Sequence, residues 1–322
     1  MIGSCGLSMV VGEPEDMADM FCRVEGIPRD TVLPLLRDIV DWKDPSGYAE
    51  HLRSLPLGPN LVSMAGHSTI RAHAMGLERS LDDSVRPDGA EMSSMVDLVE
   101  ESVDAGLLGV SVNLLPWDKM GGERFRSRPT PSVFARFAEY RQLAAVARRR
   151  DAVFQAIPNL QTRWSIGPLL DLSRPRSGTP LRTSLLTLMD APPAMGAYRV
   201  MATIAEQYNR HLGARVRFQA LPTPFDIYTD GLENPVIEEF GAGSEALHLE
   251  DLEARRALLR APVYRDRFAR QWRNPIASRA YHRDLSEARI VSCPEPGLDD
   301  RTFAQVAAER GVDPLELFMD LQ

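Results

Sequence analysis

The sequence predicts an α/β fold, either a (β/α) barrel with about six of its eight βα units or an open, doubly wound sheet. Three observations lead there. Several short runs are apolar throughout rather than alternating, as parallel strands covered on both faces are. Each is followed by a stretch with helical periodicity, the signature of βα units. The 322 residues, 44% of them hydrophobic, suffice for one large core.

In chain order, MIGSCGLSMVV (1–11) reads as the first strand. Helices are expected over 15–24 and 30–42, the latter with Asp30 as N-cap. LVSMAGHS (61–68) is the second strand, ending at Gly66 and His67. A helix over about 90–104 leads into GLLGVSVNLL (106–115). A long, arginine-rich amphipathic helix over 132–150 leads into VFQAIPNL (153–160). LRTSLLTLMD (181–190) comes next, then a helix over 195–211 and a sixth strand, RVRFQALPTPF (215–225). Pro222, Pro224 and the glycine-rich FGAGSEA (240–246) suggest a long loop. From 249 onward the chain reads as helical, closing with two short helices joined at Gly311.

Composition narrows the function classes. A net charge of −8 argues against nucleic acid as a partner, because phosphate binding needs a basic face. No apolar run approaches about 18 residues, so no membrane span is expected, and no basic segment precedes the apolar start as in a signal peptide. Three unpatterned cysteines, Cys5, Cys22 and Cys293, fit a reducing cytoplasm. Lys43 and Lys119 are the only lysines, which leaves little for Schiff-base or phosphate-loop chemistry.

Function in either architecture sits at the carboxyl ends of the strands. Cys5 stands between Gly3 and Gly6 and reads either as a small buried apolar residue or as a thiolate ligand. His67 reads as a ligand, a base, a substrate anchor or a structural histidine. Arg71 lies one turn further on, facing pocket or solvent. Ser111, Asn113, Gln155 and Asn159 are polar residues in or just after apolar strands, as are Thr183, Ser184, Thr187, Asp190 and Gln219. They either line a pocket or satisfy one another. His211, His248 and His282 fall in helix or loop and read as surface residues. The acidic residues mostly occupy helical faces and read as solvated. Phosphate loops, dinucleotide fingerprints, nucleophile elbows and paired-cysteine or HExxH zinc motifs are absent, and no residue is singled out as catalytic.

Four segments, in order, resemble the D-aminoacylase branch of the amidohydrolase superfamily: GSCGLSM, MAGHSTIRAHAMG, EMSSMVDLVEESVDAGLLGVSVNL and DDRTFAQVAAERGVDPLELFMDL. The resemblance implies a TIM barrel of the metal-dependent hydrolase type, one domain over 1–322, with 249–322 a helical segment before the last strand. It implies hydrolysis of the C–N bond of N-acyl amino acids or related amides by zinc-activated water, with Cys5 as a zinc ligand. From their places at the strand ends, His67, Arg71, Ser111, Asn113, Gln155 and Asn159 are expected around the small-molecule substrate.

The departures from the family pattern are equally specific. The family's His-x-His strand would precede Met1 and its strand-eight aspartate would follow Gln322, so the chain is expected to be a fragment of a longer reading frame. The metal-binding histidines of the family's strands five and six have no counterpart in VFQAIPNL or LRTSLLTLMD. Absent end strands would leave open sheet edges and favour self-association. The alternative expectation is a non-catalytic barrel relative that binds a small amide or serves as a scaffold.

Overall fold

The computed structural model describes residues 1–159, 162, 165–190, 196–220, 223, 226–232, 235–249, 251–277, 279 and 282–322. The chain forms two compact units, a larger one carrying every described strand and a smaller, helical one within Phe225–Gln322.

The larger unit opens with three helices, α1 (Pro14–Val24), α2 (Arg29–Ile39) and α3 (Pro45–Ser54). Asp30 falls in the first turn of α2, and Pro28 holds the cap position expected of it. The sheet follows as β1 (Ala65–Gly66), α4 (His67–Met75), α5 (Leu77–Ser80), α6 (Gly89–Asp104), β2 (Gly109–Asn113), α7 (Phe137–Arg149), β3 (Val153–Ile157), α8 (Ile166–Leu172), β4 (Arg182–Leu185), α9 (Ala197–Leu212) and β5 (Arg215–Phe218). A 3₁₀ turn at Pro131–Phe134 precedes α7. Helix α6 begins with a reciprocal capping box, Asp88 accepting from Glu91 N–H and Glu91 from Asp88 N–H.

The strands are all parallel, in the order β1-β2-β3-β4-β5. This sheet is open. Val110, Val112, Phe154, Ala156, Leu185 and Val216 are buried in the main core with residues of α6, α7, α8 and α9, among them Met95, Val99, Leu143, Ala147, Leu169 and Ala205. Continuous apolar strands are the sequence's record of this covering.

Two strand expectations are corrected. The first candidate strand is reduced to a bridge, Ile2 to Ser63, because Gly3, Cys5 and Gly6 all take positive φ (72°, 62° and 73°) and turn the chain away. The second shrinks to Ala65–Gly66, and His67, expected at a strand end, is the first residue of α4. Gly66 is the reason: a Cβ there would lie 2.5 Å from the backbone of Leu7 and Ser8, so the two segments approach too closely for any side chain. Gly66→Ala is expected to lower stability by about 1–3 kcal/mol through overpacking against rigid backbone, read by urea denaturation.

The smaller unit contains α10 (Pro235–Glu238), α11 (Gly241–His248), α12 (Leu252–Arg260), α13 (Pro262–Trp272), α14 (Phe303–Arg310) and α15 (Pro314–Asp320). Its core is aromatic, with Phe240, Tyr264, Phe268, Trp272 and Phe318. The glycine-rich 240–246 stretch, expected as loop, is largely helix α11, and Gly243 is needed there because a Cβ would meet Ile237 O at 2.1 Å. Pro222 and Pro224, the rest of that expected loop, lie outside the described residues, as do Leu160 and Met195 at the ends of their expected elements. Helices α14 and α15 are joined at Gly311, as expected, and its φ of 66° makes a left-handed cap on α14. No helix among the described residues is long and apolar enough to cross a membrane.

Candidate functional site

Strand register assembles the site. Ser111, Gln155, Ser184 and Arg217 are direct partners across β2, β3, β4 and β5, so they form one polar row on the face opposite the helix-packed residues. Ser111 and Gln155 are wholly buried, Ser184 is half-buried and Arg217 is exposed.

The Gly3–Gly6 turn is pinned to this row. Cys5 N–H donates to Gln155 Oε1 at 3.2 Å and Gly6 N–H to Ser111 Oγ at 3.1 Å, while the Ser111 hydroxyl donates to Gly3 O at 2.6 Å. Further along the row, Gln219 Nε2 donates to Ser184 Oγ at 3.0 Å. Asn113, one step beyond Ser111 on its own face, folds its loop: Leu115 N–H donates to its Oδ1 at 2.8 Å and its Nδ2 donates to Asp118. Asn159 lies two residues past β3, its carbonyl accepting from Ser165 Oγ at 2.7 Å. The structure thus brings Gln155 against Cys5 and its register partner Ser111 against the flanking Gly3 and Gly6, with Asn113 on the same strand as Ser111.

His67 and Arg71 belong to a different constellation. Both are wholly buried on α4 and share Glu139 of α7: His67 Nε2 donates to Glu139 Oε1 at 2.7 Å and Arg71 Nε to the same oxygen at 3.0 Å. His67 Nδ1 meets Ser132 Oγ at 3.0 Å, and that hydroxyl also accepts from Asn113 N–H at 2.9 Å. Arg71 Nη1 donates to the Ser80 carbonyl, and Tyr140 OH donates to the Ser132 carbonyl. Burial pulls the Glu139 pKa up, but the bond from His67 and the charges of His67 and Arg71 outweigh it and hold the carboxyl below the ordinary 4.5. Glu139 is the residue that sequence reasoning missed. The signal was there: it repeats with Leu143 and Val146 on the buried stripe of α7, where a solvated acid would not sit.

The residues described do not fit the zinc centre that the resemblance implies. A catalytic site needs about three protein ligands. Among the described residues no three His, Cys, Asp or Glu converge as a metal would require. Burial first and the Asp118 carboxylate second push the Cys5 thiol up to about 11. The groups that meet at the turn are hydroxyl and carboxamide, which bind neutral ligands by hydrogen bonds. A hollow of about 280 Å³ lined by Gly12, Asp16, Met20, Thr69 and His73 belongs to α1 and α4 and contains none of the predicted site residues.

No model of a protein family matches the chain. It is 43% identical over 326 aligned positions to proteins of Mycobacterium tuberculosis and Mycobacterium bovis, both described only as uncharacterized, covering 100% of this chain and 53% of theirs. The chain therefore spans about half the length of those curated relatives. It is 38% identical over 65 residues to a D-aminoacylase of Alcaligenes xylosoxydans, 20% of this chain and 12% of that one. Among solved structures it is similar to N-acyl-D-glutamate deacylase from Bordetella bronchiseptica, complexed with zinc and a phosphonate inhibitor (TM-score 0.49, 18% identity, 99% of this chain, 52% of that one). It is also similar to D-aminoacylase (TM-score 0.46, 16% identity, the same coverage).

Proposed function

We propose that this chain is a relative of the D-aminoacylase-type amidohydrolases that recognises a small amide, an N-acyl amino acid or a related compound, at the carboxyl side of its parallel sheet. The observation that carries this reading is the row Ser111–Gln155–Ser184, buried at its first two members, uncharged and rich in hydrogen-bonding groups, with the Gly3–Gly6 turn fixed against it. In this reading Gln155 touches the ligand, Ser111 and Asn113 hold the turn and the loop around it, and Asn159 borders the site. His67 and Arg71, wholly buried on Glu139, position the start of α4. The sequential strand order without reversal supports an incomplete (β/α)₈ barrel over a doubly wound sheet, whose order reverses at a switch point.

The local match to D-aminoacylase favours a second reading for the whole protein, hydrolysis of the amide C–N bond by metal-activated water. Its metal ligands would have to come from residues other than those described. Open sheet edges favour self-association in either case, which light scattering tests.

Titrating the chain with a panel of N-acyl-D- and N-acyl-L-amino acids, while following release of free amine with and without added zinc, separates the readings. Binding without release is the expected result. Release that requires zinc would establish the hydrolase. Binding of no compound in the panel would end the amide reading.

A further inference from the structure

Gln155 is satisfied on only one side of its carboxamide. Its Oε1 accepts the Cys5 N–H, and a donor there requires an oxygen opposite it, so the orientation of the carboxamide is fixed. Its Nε2 carries two protons and has no partner among the described residues, although the side chain is wholly buried. An unpaired buried donor costs about 1–3 kcal/mol. The neighbouring hydroxyls in register are not its partners: Ser111 Oγ accepts the Gly6 N–H and donates to the Gly3 carbonyl, and Ser184 Oγ accepts from Gln219.

We infer that Gln155 Nε2 is a metal-free anchor for a neutral carbonyl oxygen, the amide oxygen of a ligand held between the Cys5 turn and β4. A donor needs an acceptor, which excludes an ammonium group. The ionised group closest in effect to the turn is the Asp118 carboxylate, tied to Asn113 and acting on Cys5, and it disfavours a second carboxylate there. What remains is an uncharged acceptor, and a secondary amide supplies a strong one. The inference rests on the proposed amide-binding reading and assigns its central contact.

The test uses the whole chain, labelled with ¹⁵N, in excess EDTA, with N-acetyl-D-leucine and the neutral N-acetylglycinamide as probes. The Gln155 side-chain NH₂ resonances are expected to move as the probes bind, and the affinity of the unmodified protein is expected to be the same with and without EDTA. Gln155→Glu keeps an oxygen for the Cys5 N–H and removes the donor, so it is expected to bind about tenfold more weakly or worse. A thermal melt establishes that this variant folds, and the resonance shift in the unmodified protein decides the matter if it does not. Probe binding that leaves the Gln155 resonances unmoved, or that EDTA abolishes, overturns the inference while the amide reading stands. Failure of both probes and of the wider N-acyl panel, with and without zinc, overturns the amide reading and this inference with it.

Discussion

Glu139→Gln is expected to destabilise the larger unit by about 3–5 kcal/mol, because it leaves a buried guanidinium without its counter-charge. Arg71 is wholly buried, and its other partners are neutral carbonyls of Ser80 and Pro131. The glutamine oxygen still accepts hydrogen bonds, so the loss isolates charge from geometry. Urea denaturation followed by circular dichroism measures it; a loss below about 1 kcal/mol would mean that water reaches Arg71. The pH dependence follows with a definite sign. The folded Glu139 pKa lies below its ordinary value of 4.5, so its contribution is complete above that value and disappears as pH falls through the lower, folded pKa. The unmodified protein is therefore expected to lose stability on acidification more steeply than the variant, and the two curves to converge at low pH.

Arg283→Met is expected to cost the smaller unit a similar amount, about 3–5 kcal/mol. Arg283 and Glu239 are paired at 3.0 Å with side chains 1% and 0% exposed. The guanidinium also lies over the Phe240 ring at 4.7 Å and donates to the Gln271 carbonyl at 3.1 Å, while the Arg283 carbonyl accepts from Trp272 Nε1 at 2.9 Å. Methionine preserves much of the apolar stem and removes the charge, leaving Glu239 buried without Arg283. Trp272 is packed within this cluster, so its fluorescence reports the loss directly. A variant whose denaturation midpoint matches the unmodified protein would show that the aromatic packing alone holds the unit.

The helices and the parallel sheet were legible because their causes are local. The α6 capping box, the left-handed Gly311 between α14 and α15, and the mainly apolar runs of β2 and β3 all act within a few residues. The first strand was not, because three positive-φ positions among the four residues of GSCG override a run of apolar residues that otherwise reads as extended. The glycine-rich helix α11 failed for the opposite reason: glycine there answers a tertiary contact with Ile237, which no local rule contains. Of the site, the residue types were visible and their pairing was not. His67 and Glu139 are 72 positions apart, and an acid on an amphipathic helix looks solvated until the buried stripe is drawn through it. Ser111 and Gln155 were visible as polar breaks in apolar strands, but only strand register reveals that they are neighbours.

The Cys5 turn has a consequence for covalent chemistry. Alkylating reagents and oxidants attack the thiolate, and burial beside the Asp118 carboxylate, which pushes the Cys5 thiol up to about 11, keeps it protonated far more completely at pH 7 than an ordinary cysteine. A site with a cysteine at its edge invites electrophilic probes, yet this one resists them by construction. Compounds aimed at it should compete through hydrogen bonds to the carboxamide beside the thiol, and a mass-spectrometric labelling profile of the folded protein should find Cys5 modified far more slowly than after unfolding.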